Sequence, residues 1–433
     1  MNRRPLFAFL CLCLAAIPAA ADLAPADPAR DDAFDIKHEG LLATKDRATA
    51  YAFVYEQLQK SLRPRLLARH GSYLLQGEAW GAPTGYAAVG FQEIQAAAAT
   101  GDTFANAALG FQLLVGEHVA RDPARGLQLL TDAATGGDVD AMVLLGQAYQ
   151  DGIGVTADLT LAENWFKRAA WAGRPFPLAH FGDRWIDKTI TNPIFPDLAI
   201  AVWLEAARYG SGSAHQRLEW LTRPETYFPG AQRALHILLL ESVALGADVQ
   251  RKRVRAAMDD LARDYAKDID ALLARALVLS TPGGGAYDAT EAARLVQTAV
   301  DLGSLRARSI QASFLAKGIG LKKDPAAALA IWRELEDKNV PHALAMLGYH
   351  SYWGSLGKNL LPKDEALAFR YSARAAALGD YFGHLNTGYC YLHGIGTDEN
   401  YARSLRHYYA AEYQGSLVAR TMTRRLLRNL LSD

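Results

Sequence analysis

The sequence predicts an all-α fold, an α/α superhelical solenoid of helix-turn-helix repeats, on three observations. A residue able to close a helix recurs at Gly101, Gly137, Gly173, Gly210, Gly246, Gly303, Asn339, Gly379 and Gly415, in steps of 36, 36, 37, 36, 57, 36, 40 and 36 residues. Four residues later comes an alanine, at Ala105, Ala141, Ala214, Ala307, Ala343 and Ala419, and nine residues later a glycine, at Gly110, Gly146, Gly182, Gly348 and Gly388. β-Branched residues neither cluster nor alternate, so strand signals are almost absent. A period of this length marks supersecondary units that bury a continuous core only by stacking on their neighbours.

Taken in order, the chain begins with Arg3 and Arg4, an apolar run from Leu6 to Ile17, then Pro18 and Ala19-Ala20-Ala21 before Asp22. Basic, apolar and small residues in that order predict a secretory signal over residues 1–21, cleaved after Ala21. The run falls short of the roughly 20 apolar residues that span a bilayer, and no later segment approaches that length. Asn2 before the arginine pair and Pro5 after it favour the general secretory route over the twin-arginine one. Leu10 and Leu12 precede Cys11 and Cys13 where a lipoprotein signal would carry a small residue, so no lipid anchor is expected. The mature chain would keep Cys390 alone, with no disulfide framework, and Cys390 reads as a small buried apolar residue.

The mature chain then divides into an N-terminal segment with a capping helix (22–64), a repeat block (65–246), a surplus helix or half-repeat in the long step (247–268), a second repeat block (269–415) and a capping helix (416–433). Each unit reads as two antiparallel helices. In the first, Ala141, Leu145, Gly146 and Tyr149 share a face by their three- and four-residue spacings, and the small residues admit a close partner helix. The second starts near Asp158, Asp288, Asp364 or Asp398, since an Asp carboxylate accepts the free N–H groups of a helix start. It closes at Gly or Asn, which tolerate the left-handed conformation. Gly-Ile-Gly at 152–154, 318–320 and 394–396 stands between two helices, so these are turns; a dinucleotide-binding glycine loop follows a strand. Thr281 to Gly285 lacks a following Lys-Ser/Thr and reads as a connection.

With these residues in place, the chain resembles the Sel-one-like repeat family, relatives of the tetratricopeptide repeat. That family's pattern of Ala, Leu-Gly, Tyr, Gly-x-Gly-Val, Asp, Ala, Trp, Ala-Ala and Gly is met by Ala141 through Gly173, with partial copies at Ala343–Gly379 and Gly388–Gly415 and degenerate ones from about Gly182 to Gly303. The resemblance implies a superhelix with a scaffold or adaptor role, and exported bacterial members are similar to regulators and assembly factors of the cell envelope. Some exported relatives have been linked to hydrolysis of cell-wall or β-lactam substrates, but they are similar to a cysteine-rich subgroup from which a chain with one mature cysteine departs. A subunit of a polysaccharide-export or motility assembly is a further reading.

Lys+Arg and Asp+Glu balance at 46 each, which leaves no global field to attract nucleic acid or an anionic membrane. No Gly-x-Ser-x-Gly or Ser-x-x-Lys stands where it would build a nucleophile. Of 11 histidines none has a dense metal-ligand spacing, His384, His393 and His407 coming nearest. No metal, cofactor or catalytic residue is therefore expected. Arg251, Lys252, Arg253 and Arg255 read as a solvated face, and Arg420, Arg424, Arg425 and Arg428 as that of a capping helix, with a patch for an acidic partner as the other reading. By resemblance to tetratricopeptide arrays the first helices line the concave surface. Positions one and four after the Leu-Gly glycine then give Gln147, Gln150, Asp183, Tyr349, Tyr352 and Tyr389 as candidate partner-binding residues, and the position six before gives His342. Exposed tyrosine suits recognition, although the same tyrosines could pack between helices. The expected function is a non-catalytic, exported adaptor for a protein or peptide partner.

Overall fold

The structure is a computed structural model that describes residues 23–24, 28–44, 47–183, 196–224, 226, 228–244, 250–282, 286–356, 360–414 and 416–431. The signal segment, Gly246, Gly415 and residues 283–285 lie outside the described residues. The described residues form 22 α-helices and no strand. Proximity along the fold divides the chain into two compact units, one reaching to Ala169 and also taking in Leu430–Asp433, the other running from Ala170 to Asn429.

The first unit holds α1 (Pro28–Thr44), α2 (Arg47–Lys60), α3 (Pro64–Gln76), α4 (Ala87–Ala98), α5 (Thr103–Val115), α6 (Pro123–Thr135), α7 (Val139–Asp151) and most of α8 (Leu159–Trp171). α3 packs on α4 and α5 on α6, and the first helices α3, α5 and α7 touch in succession. A buried ionic ladder ties them together. Arg65 of α3 donates to Asp35 of α1 (2.6 Å), to Asp102 before α5 (3.1 Å) and to Thr103 (2.8 Å), and lies 3.6 Å from Asp138 before α7. Asp102 and Asp138 also cap their own helices, accepting from Ala105 N and Ala141 N. Arg69 forks onto Asp35, reaches Asp140 and stacks 3.8 Å over Phe104. Arg63 holds Asp31, yet burial outweighs it and pushes that carboxyl up to about 6. Nearby, the buried His70 ring meets Glu93 at 2.8 Å.

The second unit holds α9 (Phe176–Asp183), α10 (Pro196–Arg208), α11 (Gly212–Trp220), α12 (Pro229–Ala244), α13 (Arg251–Asp264), α14 (Ile269–Ser280), α15 (Ala289–Asp301), α16 (Leu305–Lys317), α17 (Pro325–Glu336), α18 (Pro341–Trp353), α19 (Glu365–Ala377), α20 (Tyr381–His393), α21 (Tyr401–Tyr413) and most of α22 (Leu417–Leu431). The hairpin repeats one set of devices. A cap residue donates its N–H back to the preceding helix, Asp288 to Leu279 O, Asp324 to Leu315 O and Asn400 to Tyr391 O, at 2.8–2.9 Å. Its side chain then accepts from the N–H three residues on. Asp158, Asp288 and Asp364 cap as expected, but the helix expected near Asp398 starts at Tyr401 and is capped by Asn400, the residue that carries this back-bond. The closing residues are left-handed, with φ of 51° at Asn339 and 80° at Gly379.

Small residues on the first helix admit an aromatic from the second: the ring of Phe166 lies against Gly146, Trp203 against Gly182 and Tyr408 against Gly388. The third residue of each Gly-Ile-Gly turn locks one repeat to the one before. Gly320 (φ 63°) and Gly396 (φ 65°) sit where a Cβ would collide with the carbonyl oxygens of Ala289 and Glu365 at the starts of α15 and α19. Gly320→Ala therefore combines left-handed strain with a backbone clash and should cost about 3 kcal/mol. Gly303→Ala has comparable strain (φ 88°) but open space around it, and should cost only about 1 kcal/mol. Urea unfolding of the pair checks this, and equal losses would contradict the interlock.

Candidate interaction face on α18 and α20

Within the second unit the first helices α16, α18 and α20 pack side by side, whereas α17, α19 and α21 make at most grazing contact with one another. Helices closer on one side than on the other bend the array, so the first helices line its inner side. Gly348 and Gly388 turn one flank of α18 and α20 onto α19 and α21, against Ser372 and Tyr408. The positions one, four and five residues further on are left outward, while those two and three further on are buried.

Aromatic rings gather there. Tyr352 meets Tyr389 of the next repeat edge-on at 5.9 Å and Trp353 at 4.8 Å; Tyr349 lies 6.4 Å from Trp353, and Tyr389 4.4 Å from His393. Tyr349 is 42% exposed, Trp353 58%, Phe382 41% and Tyr389 37%, so these rings form a surface rather than a core. Large apolar side chains open to water in one patch mark a recognition surface. Lys363 stands 5.1 Å over the Tyr352 ring while paired with Glu365 at 2.9 Å. Burial, with Tyr389 adding, raises the Tyr352 hydroxyl pKa.

The seven candidates chosen from sequence do not converge. Tyr349, Tyr352 and Tyr389 share this strip. His342, at the other end of α18, lies edge-on to Phe382 at 6.5 Å and hydrogen-bonds Ser309 at 2.7 Å. Asp183 is paired with Arg217 and His180. Gln150 bonds its neighbour Asp151 (3.1 Å), and Gln147 is exposed on α7, both in the first unit. Trp353, Phe382 and His393 were missed, although Phe382 stands at the same offset as His342, and Trp353 and His393 one residue beyond the counted position.

Beneath the strip the histidines are held neutral. Burial, with Arg306 and Lys317 adding, pushes His342 down to about 3. His350, stacked on Trp332 at 5.1 Å and bonded to Ser355, is down to about 4 by burial and then Lys317. His384 and His407 meet Nδ1 to Nδ1 at 3.1 Å; burial drives His384 well down and His407 to about 4. His393 stands apart from that pair, against Tyr389, and no cluster of three metal-ligating side chains occurs among the described residues. Cys390 is buried, which pushes its thiol up to about 11. A cleft of about 220 Å³ lined by Glu336, Leu367, Arg370, Tyr371 and Arg374 is smaller than an ordinary ligand pocket, and Tyr371 already holds Glu336 at 2.9 Å.

A stack of capped helical hairpins with an aromatic inner face defines the class: a helical-repeat protein of the solenoid type. More particularly, the chain contains five Sel1 repeats, the Sel1 repeat family profile matching residues 103–138, 139–173, 312–335, 341–380 and 383–416. The last two matches hold α18 to α21. The hairpin α14–α15 shares the build without being matched. Sel1 repeats generally mediate protein–protein interactions and are typically non-catalytic scaffolds. Among solved structures, the chain is similar to c5321, a protective antigen present in uropathogenic Escherichia coli strains displaying an SLR fold (18% identity, 90% of this chain and 84% of that one, TM-score 0.33). It is also similar to a Sel1 repeat protein from Oxalobacter formigenes (19% identity, 88% and 94%, TM-score 0.27). No curated protein matches. No helix among the described residues is long and apolar enough to cross a membrane.

Proposed function

We propose that this protein is a non-catalytic adaptor that holds a partner polypeptide on the face of α18 and α20, and that it works after export to the cell envelope. The observation that carries the docking face is the open aromatic strip of Tyr349, Tyr352, Trp353 and Tyr389, fed by two successive repeats and resting on rigid helices. Aromatic anchors supply most of the energy of such interfaces, and truncating one costs 2 kcal/mol or more at a hot spot, roughly 30-fold in affinity. Trp353→Ala and Tyr389→Ala should each weaken capture of the partner from envelope extracts by about that factor, with melting temperature and helical signal nearly unchanged. Early melting would make the rings structural; normal melting with normal capture would move the site elsewhere. Export rests on Arg3-Arg4, the apolar run and Ala19 to Ala21, and N-terminal sequencing of the envelope fraction tests it: Asp22 as first residue supports it, retained Met1 overturns it.

A further inference from the structure

We infer that the partner held on this face is an acidic polypeptide segment lying across α16, α18, α20 and α22, an inference that rests on the docking face proposed above. The sequences of these four successive first helices contain no Asp or Glu. Acidic side chains of the same repeats sit on the second helices instead, Glu334 and Glu336 on α17, Glu365 on α19 and Glu412 on α21. The first helices thus carry an aromatic strip and cations and no acid of their own. Lys317 is exposed on α16 to one side, with Arg306 exposed on the same helix and 3.9 Å from Asp270 of α14. Beyond α20, the start of α22 adjoins it where Tyr381 donates to Ser416 at 3.4 Å; on α22, Arg425 follows Tyr349 and Tyr389 in repeat register at steps of 40 and 36 residues, and Arg424 and Arg428 are also exposed. Arg306 and Lys317 add to the burial that disfavours a proton on His342, and Lys317 does so on His350 beneath the strip. Glu365, at the strip's edge, is held by Lys363.

The chain shows elsewhere how such a surface is satisfied. In the first unit Arg69 stacks on Phe104 and receives the carboxylate of Asp35 from the adjoining helix α1, so cation, ring and carboxylate close into one contact. Helices α16, α18, α20 and α22 present cations and rings and carry no carboxylates of their own. A segment carrying Asp or Glu beside an apolar anchor supplies them, with the charges steering encounter and the rings setting the off-rate.

The test is selection of random 12-residue peptides, displayed on phage, against the mature full-length protein, followed by affinity measurement on synthetic peptides from the winning pool. The expected pool is net negative, with an aromatic or aliphatic residue near the acids. Its peptides should lose at least tenfold in affinity with Trp353→Ala and with Lys317→Glu, weaken in high salt, and be indifferent to Arg333→Glu on α17. A neutral or basic pool still lost with Trp353→Ala overturns the acidic partner and leaves the docking face standing. A pool indifferent to Trp353→Ala overturns the docking face itself. An empty selection, or binding of polygalacturonate or phosphatidylglycerol vesicles in place of any peptide, overturns the inference.

Discussion

Lowering the pH from about 7.5 to about 5 should destabilise the second unit by on the order of 5 kcal/mol. His342, His350, His384 and His407 all have folded pKa values depressed by burial, to about 3 for the first and about 4 for His350 and His407. Above the unfolded value near 6.5 both states are neutral and the stability is fully present; as pH falls toward the folded values only the unfolded chain takes up protons. Each group then loses up to about 2 kcal/mol at pH 5, at roughly 1.4 kcal/mol per pH unit. Asp380 works the other way. Burial raises it to about 6, so the folded state gains its proton between pH 6 and 4 and recovers a part of the loss. Urea unfolding across this range should show a steep decline below pH 6.5, shallower by about one proton in His407→Asn. A flat profile would mean that the histidines are solvated.

Arg65→Ala should destabilise the first unit by about 3–5 kcal/mol, the range for removing one partner from a buried ion pair. The loss is large because one guanidinium serves Asp35, Asp102 and Asp138, and its removal leaves those carboxylates buried beside one another. Two of them cap α5 and α7, so the damage spreads to both helix starts. Arg65→Lys should recover only part of the loss, because an ammonium cannot reproduce the fork. Thermal unfolding reads both variants, and a shift of less than about 2 °C for Arg65→Ala would contradict the ladder.

The fold was legible in the sequence because its determinants are local and repeated. Closing glycines, cap carboxylates and the small residues under Phe166, Trp203 and Tyr408 each act within one hairpin, so spacing alone exposes them. The Asn400 cap was missed because Asp398 offers the same chemistry two residues earlier, and only the hydrogen bond to Tyr391 O chooses between them. The ladder around Arg65 was illegible although Asp102 and Asp138 stand 37 and 73 residues from it, in repeat register: Asp35, 30 residues away on α1, lies outside the repeats, and register does not tell that these charges are buried together. The candidate face stands between these cases. Repeat register selected Tyr349, Tyr352 and Tyr389, but it carried Gln147, Gln150 and Asp183 along with them, because register gives direction and not exposure or pairing. Trp353 is visible only once α18 is known to stay helical to its last residue, where the ring turns out to water beside Tyr352.

The most direct test of the account is site-specific photo-crosslinking in cells, with p-benzoylphenylalanine placed at Trp353 or Tyr389 on the inner face and at Arg333 on a second helix. The account predicts a discrete protein adduct from both inner positions and none from Arg333; an adduct from Arg333 alone, or none from Trp353 and Tyr389, would contradict it.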